Sequence, residues 1–547
     1  MKRQSSQQSS WTWRFLLVFG VVFGFALLLI FYGTRPPHLE ALSIQGGKKS
    51  VSLISWNMAA INNNPFEYWI TYNEDPSYER LMTDISSFID APGTRDVEVS
   101  TVFTDAMARS LFQKFTDYNL VGVKETIALW NQDFKNRKII SEFIKDGLIG
   151  KKRLASMPDR ITNTINTAEG AQIHRPTVIN CYSKSISSMQ DWWEKWVHFM
   201  FDDSVDLGKT GGASGSKVIH MLQPILHAKY PAVSEEEERI SIPLQTLTLA
   251  IFDAILVHMM NTLSNNWQNL RGNICKNLNL HKNDRSIEIL KESYSEENIY
   301  FLQEVSFSFM RVAKAQLGSY DLYSPSKTDG DRDQNSVILL KKYAYKNVAE
   351  VTEEVLAEFP PNIKVPIAAG DLLCLFATDA ADETKYLLCS FHGDTNGLAT
   401  VPVVEAVHKF ASSKGRDSKL LFGMDANTYE NPEPDQQGVA DFAGKYTALQ
   451  LSSCYGDHPD PKRYTTFAAR THLQPQLNKA VAYNEKDIKG DKNPKDFVLF
   501  FRTDFEVAIA ERENTGARDF TENMVIPTLR FPSDHAITYS TLYENKD

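Results

Sequence analysis

The stretch Lys419–Glu430, KLLFGMDANTYE, decides the fold. Leu420, Leu421, Phe422 and Met424 flank one glycine in a continuous apolar run, the pattern of a strand covered on both faces. The run stops abruptly at Asp425, and Asn427 follows it. Asp and Asn favour turns because their side chains bond nearby backbone, so the stretch alone fits an ordinary turn equally well. What the rest of the chain carries decides between the two.

Similar apolar runs recur. VSLISW (51–56) stands alone near the N-terminus, and NIYFLQ, NSVILLKK, DLLCLFAT, KYLLCSF, KLLFGM, DFVLFF, FEVAIA and AITYSTL follow one another from residue 298. Each is predicted to be a strand. Their tips share a chemistry. Asn57 ends the first run, Glu304 the second and His392 the run KYLLCSF, while Lys495-Asp496 and Ser533-Asp534-His535 open two others. One such tip is a turn. Six, all drawn from metal-ligand and acid–base residue types, predict that one end of the sheet is a reaction site.

The ordered set SWN, QE, SFH, GMDAN, KDF, SDH resembles the endonuclease/exonuclease/phosphatase (DNase I-like) superfamily. The resemblance covers residues 52–56 and 298–545 and leaves out 60–290, where the family has only a short connection. It implies an α/β fold, a four-layer α/β sandwich of two packed, mostly antiparallel sheets flanked by helices, with the site at one rim. By the same resemblance Glu304 is the main metal carboxylate, and Asp425 with Asn427 matches a G-D-x-N motif, although Met424 separates Gly423 from Asp425. Asn57 supports this group, His392 polarises the phosphate, Asp496 pairs with His535, and Asp534 is the carboxylate beside that His.

The chemistry asks for these residue types without the family name. Hydrolysis of a phosphate ester gathers negative charge on the equatorial oxygens. A divalent cation, Mg2+ with Mn2+ as substitute, needs hard oxygen ligands, which Glu304 and Asp534 supply. Asn57, Asn427, His392 and His535 are the donors to phosphate. Asp425 orients the attacking water, and Asp496 fixes the tautomer of His535. Other residues carry competing assignments. Asp394 and Asn396 form a turn or a further contact; Arg470, Lys479 and His472 meet an anionic leaving group or belong to a solvated loop; Asp333–Ser336 borders the cleft or does not.

The run Phe15–Tyr32 is uncharged and apolar, about 27 Å long as a helix, and is read as a transmembrane helix joined by a stalk, 33–50, to the catalytic domain, 51–545. Residues 1–14 form a tail, and 60–295 a helical insertion expected to leave and return at the rim of the site, with a surface for a protein partner. Leu244–Leu263 is apolar but interrupted by Asp253 and His258, which favours a buried helix over a second span; Trp192, Trp193 and Trp196 are read as core. Five widely spaced Cys are expected as buried thiols. With the absence of N-x-S/T sequons, this favours a domain facing the cytosol, or a compartment without glycosylation. The net charge of -10 disfavours long duplex nucleic acid as a partner. The expected function is a membrane-anchored, divalent-metal-dependent hydrolase of a lipid or small phosphoester. The alternatives are a nuclease or nucleotide phosphodiesterase, and a non-catalytic scaffold with a vestigial site.

Overall fold

The computed structural model describes residues 48–206, 216–329, 332–360 and 365–545, so the apolar run 15–32 and most of the stalk lie outside the described residues. Twelve strands build the body: β1 (Ser50–Asn57), β2 (Ile299–Val305), β3 (Tyr320–Tyr323), β4 (Asn335–Lys341), β5 (Tyr345–Glu350), β6 (Leu372–Asp379), β7 (Lys385–His392), β8 (Lys419–Asp425), β9 (Leu451–Ser453), β10 (Asp496–Phe501), β11 (Phe505–Glu513) and β12 (Ile537–Glu544). They form two six-stranded sheets, ordered β11-β12-β1-β2-β4-β3 and β9-β10-β8-β7-β6-β5.

Alternation along each strand sorts the side chains into layers. Leu53, Phe301, Ile338 and Leu340 of the first sheet meet Leu373, Leu388, Leu421 and Val498 of the second in a dry interior. The opposite faces are covered by helices. Ile287, Leu290 and Phe309 pack on Ile54, Trp56 and Leu302, while Val403, Val407 and Phe442 pack on Phe422, Phe391 and Phe497. Helix, sheet, sheet and helix make the four-layer α/β sandwich. Gly423 belongs to this packing and not to a turn. A Cβ there would stand 2.4 Å from the Cβ of Phe301 in the facing sheet.

Strands β1 and β2 are parallel neighbours, as are β7 and β8. A parallel pair needs a crossover, so the chain that leaves β1 at Asn57 must return to the opposite rim before β2 begins. The helix Lys282–Ser293 makes that return on the outer face of the first sheet. The helical insertion does lie beside the cleft, as expected, but it ends near Lys282 and not at 295. The last helix of that segment is the crossover of the sandwich itself.

The rest of the segment is mainly helical, and its core, in which Trp192, Trp193 and Trp196 are buried, also takes in Phe467, Leu473, Val525 and Leu529 from loops of the sandwich. The helix Ser241–Leu263 has the length and composition to cross a membrane, yet 89% of its apolar window is buried inside the protein. Its one carboxylate is satisfied there. Asp253 accepts from Arg175 Nε at 2.7 Å, Thr177 Oγ1 at 2.7 Å and Trp196 Nε1 at 2.9 Å. The thiol expectation is corrected in part, since Cys181 and Cys275 are joined by a disulfide, while Cys374, Cys389 and Cys454 are free and buried. Spacing of 94 residues hid a pair that only the fold brings together.

Two glycines test the packing. Gly423→Ala should lower stability by about 1–3 kcal/mol, because backbone and ring must both give way. Gly444→Ala, on an exposed helix position with open space around it, should be neutral or stabilising by about 0.5–1 kcal/mol. Urea midpoints of the two variants read both, and equal midpoints would count against the inter-sheet contact.

Candidate active site

Register alone gathers half the polar tips. His392 on β7 pairs with Asp425 on β8, and Asp425 pairs with Asp496 on β10. Three adjacent strands thus present His392, Asp425 and Asp496 at one rim of the second sheet. On the first sheet Asn57 pairs with Gln303, the residue before Glu304. The segment ahead of β12 carries Asp534 and His535 to the same rim, and Ser533 ties it down by donating to the Asn57 carbonyl at 2.6 Å.

Asn57 joins the two sheets chemically. Its Nδ2 donates to Asp425 Oδ2 at 2.9 Å and to Glu304 Oε1 at 3.2 Å, while its Oδ1 accepts the Ala59 N–H at 2.9 Å. Glu304 Oε2 accepts the Ala60 N–H at 2.8 Å and Gln334 Nε2 at 3.3 Å. Burial alone would raise the Glu304 carboxyl; His392, the Ala60 N–H, His535 and Asn57 outweigh it and hold the group below its ordinary value. His392 Nε2 lies 3.4 Å from Glu304 Oε1 and 3.6 Å from Asp425 Oδ2.

Asp425 serves the turn and the site at once. Its Oδ1 accepts the Asn427 N–H at 2.8 Å, the bond of an ordinary Asx turn. Its Oδ2 faces Asn57, His392 and, at 3.7 Å, His535 Nε2. Both sides of the site hold non-glycine residues in the left-handed region, Glu304 at φ 53° and Asn427 at φ 47°. Strain of this kind persists where surroundings over-determine it. Asn427 Nδ2 is buried and has no partner among the described residues.

His535 Nδ1 stands 3.0 Å from Asp496 Oδ2, and the Asp496 N–H donates to Thr465 Oγ1 at 3.1 Å. Burial pulls the imidazole down, but Asp496 and Asp425 together push it up to about 10. The ligand atoms of Asp425, Asp496 and His535 all lie within 4.8 Å of one another, a grouping able to hold a metal ion. Glu304 and Asp534 lie along the same cleft, and both act on the buried Lys282 amine, which burial draws down to about 8 against their charge.

The cleft encloses about 1170 Å³ and is lined by the sandwich rim on one side and by the helical segment on the other. Asn57 itself is sealed beneath it, fully buried. Asp394 is spent on the turn, accepting the Leu398 and Ala399 N–H groups, and Asn396 donates to Asp435. His472 turns away onto Asp90, 3.6 Å distant, and does not face the cleft, unlike Arg470 and Lys479. Of Asp333–Ser336, Gln334 reaches Glu304 and the others are structural. Sequence reasoning missed Tyr68, Lys282, Arg332 and Lys495, which also line the cleft. Only Lys495 had a signal, standing immediately before Asp496.

One protein family matches, a domain of unknown function, DUF8234, over residues 96–272, wholly within the helical segment. No curated protein matches the chain. Among solved structures, the chain is similar to TDP2 of D. rerio complexed with a single-strand DNA product, at 14% identity and TM-score 0.32, over 49% of this chain and 92% of that one. It is similar to an endonuclease/exonuclease/phosphatase from Bacteroides vulgatus at 15% identity and TM-score 0.33, over 52% and 95%. The human Nocturnin catalytic domain with bound sulfate matches at 14% identity and TM-score 0.31, over 48% and 86%.

The His535 pair gives a pH signature. A histidine whose folded pKa exceeds its unfolded ~6.5 stabilises the fold fully below that value and loses the contribution as pH rises toward about 10. Urea midpoints of chelator-treated protein should therefore fall between pH 7 and 10, and the fall should be shallower in Asp496→Asn. Parallel slopes would show that the pair does not carry the charge.

Proposed function

We propose that this chain is a divalent-metal-dependent hydrolase of phosphate esters that works by direct attack of water. One observation carries the proposal: Asn427, whose amide nitrogen is buried and without a partner among the described residues, lines the same cleft as Glu304, Asp425, His392 and His535. A buried donor left unpaired costs about 1–3 kcal/mol, and a phosphate oxygen would satisfy it.

The donor set fits a hard cation. Glu304, Asp425, Asp496 and Asp534 bring carboxylate oxygens to one rim, and such oxygens suit Mg2+ or Mn2+. Glu304 and Asp534 are the residues that would hold the ion, since Asp496 is already engaged by His535. When bound, the ion would neutralise charge on the phosphate oxygens.

The remaining roles belong to the side chains. Asn57 orients the Asp425 and Glu304 carboxylates from below. Asp425 Oδ2, free of the turn bond on Oδ1, accepts a proton from the attacking water. Asn427 Nδ2 and His392 Nε2 donate to the phosphoryl oxygens. His535, held by Asp496, offers a cationic Nε2–H to the charge that develops. Ser533, two residues before His535, is committed to the backbone of Asn57 and His535, and water is the nucleophile of this proposal.

The placement of the domain belongs to the same proposal. Residues 15–32 anchor the chain in a membrane. The disulfide Cys181–Cys275 argues for a catalytic domain facing a non-reducing compartment, which revises the cytosolic expectation drawn from unpaired cysteines. The helical segment 60–281 forms the far wall of the cleft and selects the substrate.

A panel of phosphomonoesters and phosphodiesters with Mg2+ tests the reaction. Asp425→Asn should lower turnover of the best substrate by a factor on the order of 10² or more, with the unfolding midpoint little changed. Asn427→Ala should lower it by about tenfold or more. Near wild-type turnover in Asp425→Asn would reduce the site to a turn. Membrane fractions washed with carbonate should retain the full-length chain, and its release would reject the anchor.

A further inference from the structure

We propose that the cleft holds a second anion subsite, formed by Arg160, Lys479 and Arg470, so that the substrate is a small phosphoester whose leaving group carries another phosphate. The proposal rests on the hydrolase function above and names its substrate class.

The subsite lies where the helical segment meets the loop ahead of β10. Arg160 sits on the helix Ser156–Thr162, and Lys479 and Arg470 on the loop opposite; all three line the same cleft as Asp425 and His535. The charge balance is uneven. Glu67 pairs with Arg470, and Asp159 is taken by Arg175 at 2.6 Å. Among the described residues, Arg160 and Lys479 have no carboxylate within salt-bridge distance. Behind them Arg153 adds a further cation, with its guanidinium directed at Gln476.

Charges this close disfavour one another. After burial, the nearest causes depressing the Lys479 amine include Arg470, Arg153 and Arg160, relieved only in part by Glu67. Unscreened like charges gathered in a cleft are stabilised by an anion. A second observation points the same way. Ser156, one turn before Arg160, lines the cleft, and among the described residues its buried hydroxyl and the buried Arg153 Nε both lack a partner.

The subsite is continuous with the reaction centre. Arg470 feels the charge of Asp534 and stacks on Tyr68, with its guanidinium carbon 5.2 Å from the ring centroid. Tyr68 in turn feels Asp534 and Glu304. A single ligand with one phosphate at Asn427 and another at Arg160 and Lys479 would bridge the two walls. Gln476 lines the space beside it and offers a further donor, whereas the Asn163 amide, also at the cleft, is spent on Asp159 and the Ile179 carbonyl.

Calorimetric titration of the full-length protein in a metal chelator, which removes the ion that turnover would need, tests this. The probes are adenosine 5′-monophosphate and adenosine 3′,5′-bisphosphate. The bisphosphate should bind about tenfold or more tightly than the monophosphate, the size of one charge-assisted hydrogen bond. In Arg160→Gln/Lys479→Gln the ratio should fall toward one. A ratio near one in the wild-type protein, or an undiminished ratio in the double variant, would overturn the subsite. A bisphosphate preference in a protein that hydrolyses no phosphoester would uphold the subsite and fail the hydrolase assignment alone.

Discussion

One carboxamide holds the two halves of the site together. Asn57 ends a strand of the first sheet, yet its Nδ2 reaches Asp425 on the second sheet and Glu304 on its own. Two carboxylates brought this close in a buried place repel, and a neutral donor between them is what lets both stay. Everything around Asn57 is arranged to fix that donor. Ser533 holds its carbonyl, the Ala59 N–H holds its Oδ1, and the sheet pairing with Gln303 holds its backbone. The strained backbone at Glu304 and Asn427 is the consequence of aiming groups from two sheets at one point.

The long helical segment follows from the same geometry. Parallel β1 and β2 require a crossover, and a crossover on the outer face leaves the chain free to elaborate at the site rim first. Residues between Asn57 and Lys282 can therefore grow into a wall over the cleft without disturbing the register that places Asn57 beside Glu304. The wall contributes Arg160, Asn163 and Tyr68, and the crossover helix contributes Lys282. Catalysis on one wall and selection on the other is a division of labour that the chain order makes simple.

Much of this was legible in the amino-acid order, and the limits are physical. The nine apolar runs became nine strands because buried strands carry continuous apolar sequence. The three strands without such a signal, β3, β5 and β9, all lie at sheet edges, paired on one side only and short or half-exposed. The polar tips were legible because a carboxylate, carboxamide or imidazole at the end of a buried run gives up solvation, and a chain that repeats this cost at strand after strand is building a site. Lys282, Tyr68 and Arg160 were not legible, because nothing local distinguishes a residue that faces a cleft from one that faces water. The Cys181–Cys275 bridge was invisible for the same reason, as its partners meet only through the fold. Gly423, displaced by one position from the expected motif, is explained by Phe301 across the interior and not by the turn it precedes.

The central claim is that Asn57 presents Glu304 to a divalent cation beside Asp425. Binding of Mn2+ to the full-length protein, followed by calorimetry or water-proton relaxation, tests it most directly. The wild-type protein should take up Mn2+ at this rim in competition with Mg2+. Glu304→Gln should weaken that binding, and Asn57→Ala, which frees the carboxylates from their common donor, should weaken it by about tenfold to a hundredfold, as loss of an outer-shell partner does. Wild-type affinity in both variants, with both still folded, would contradict the account.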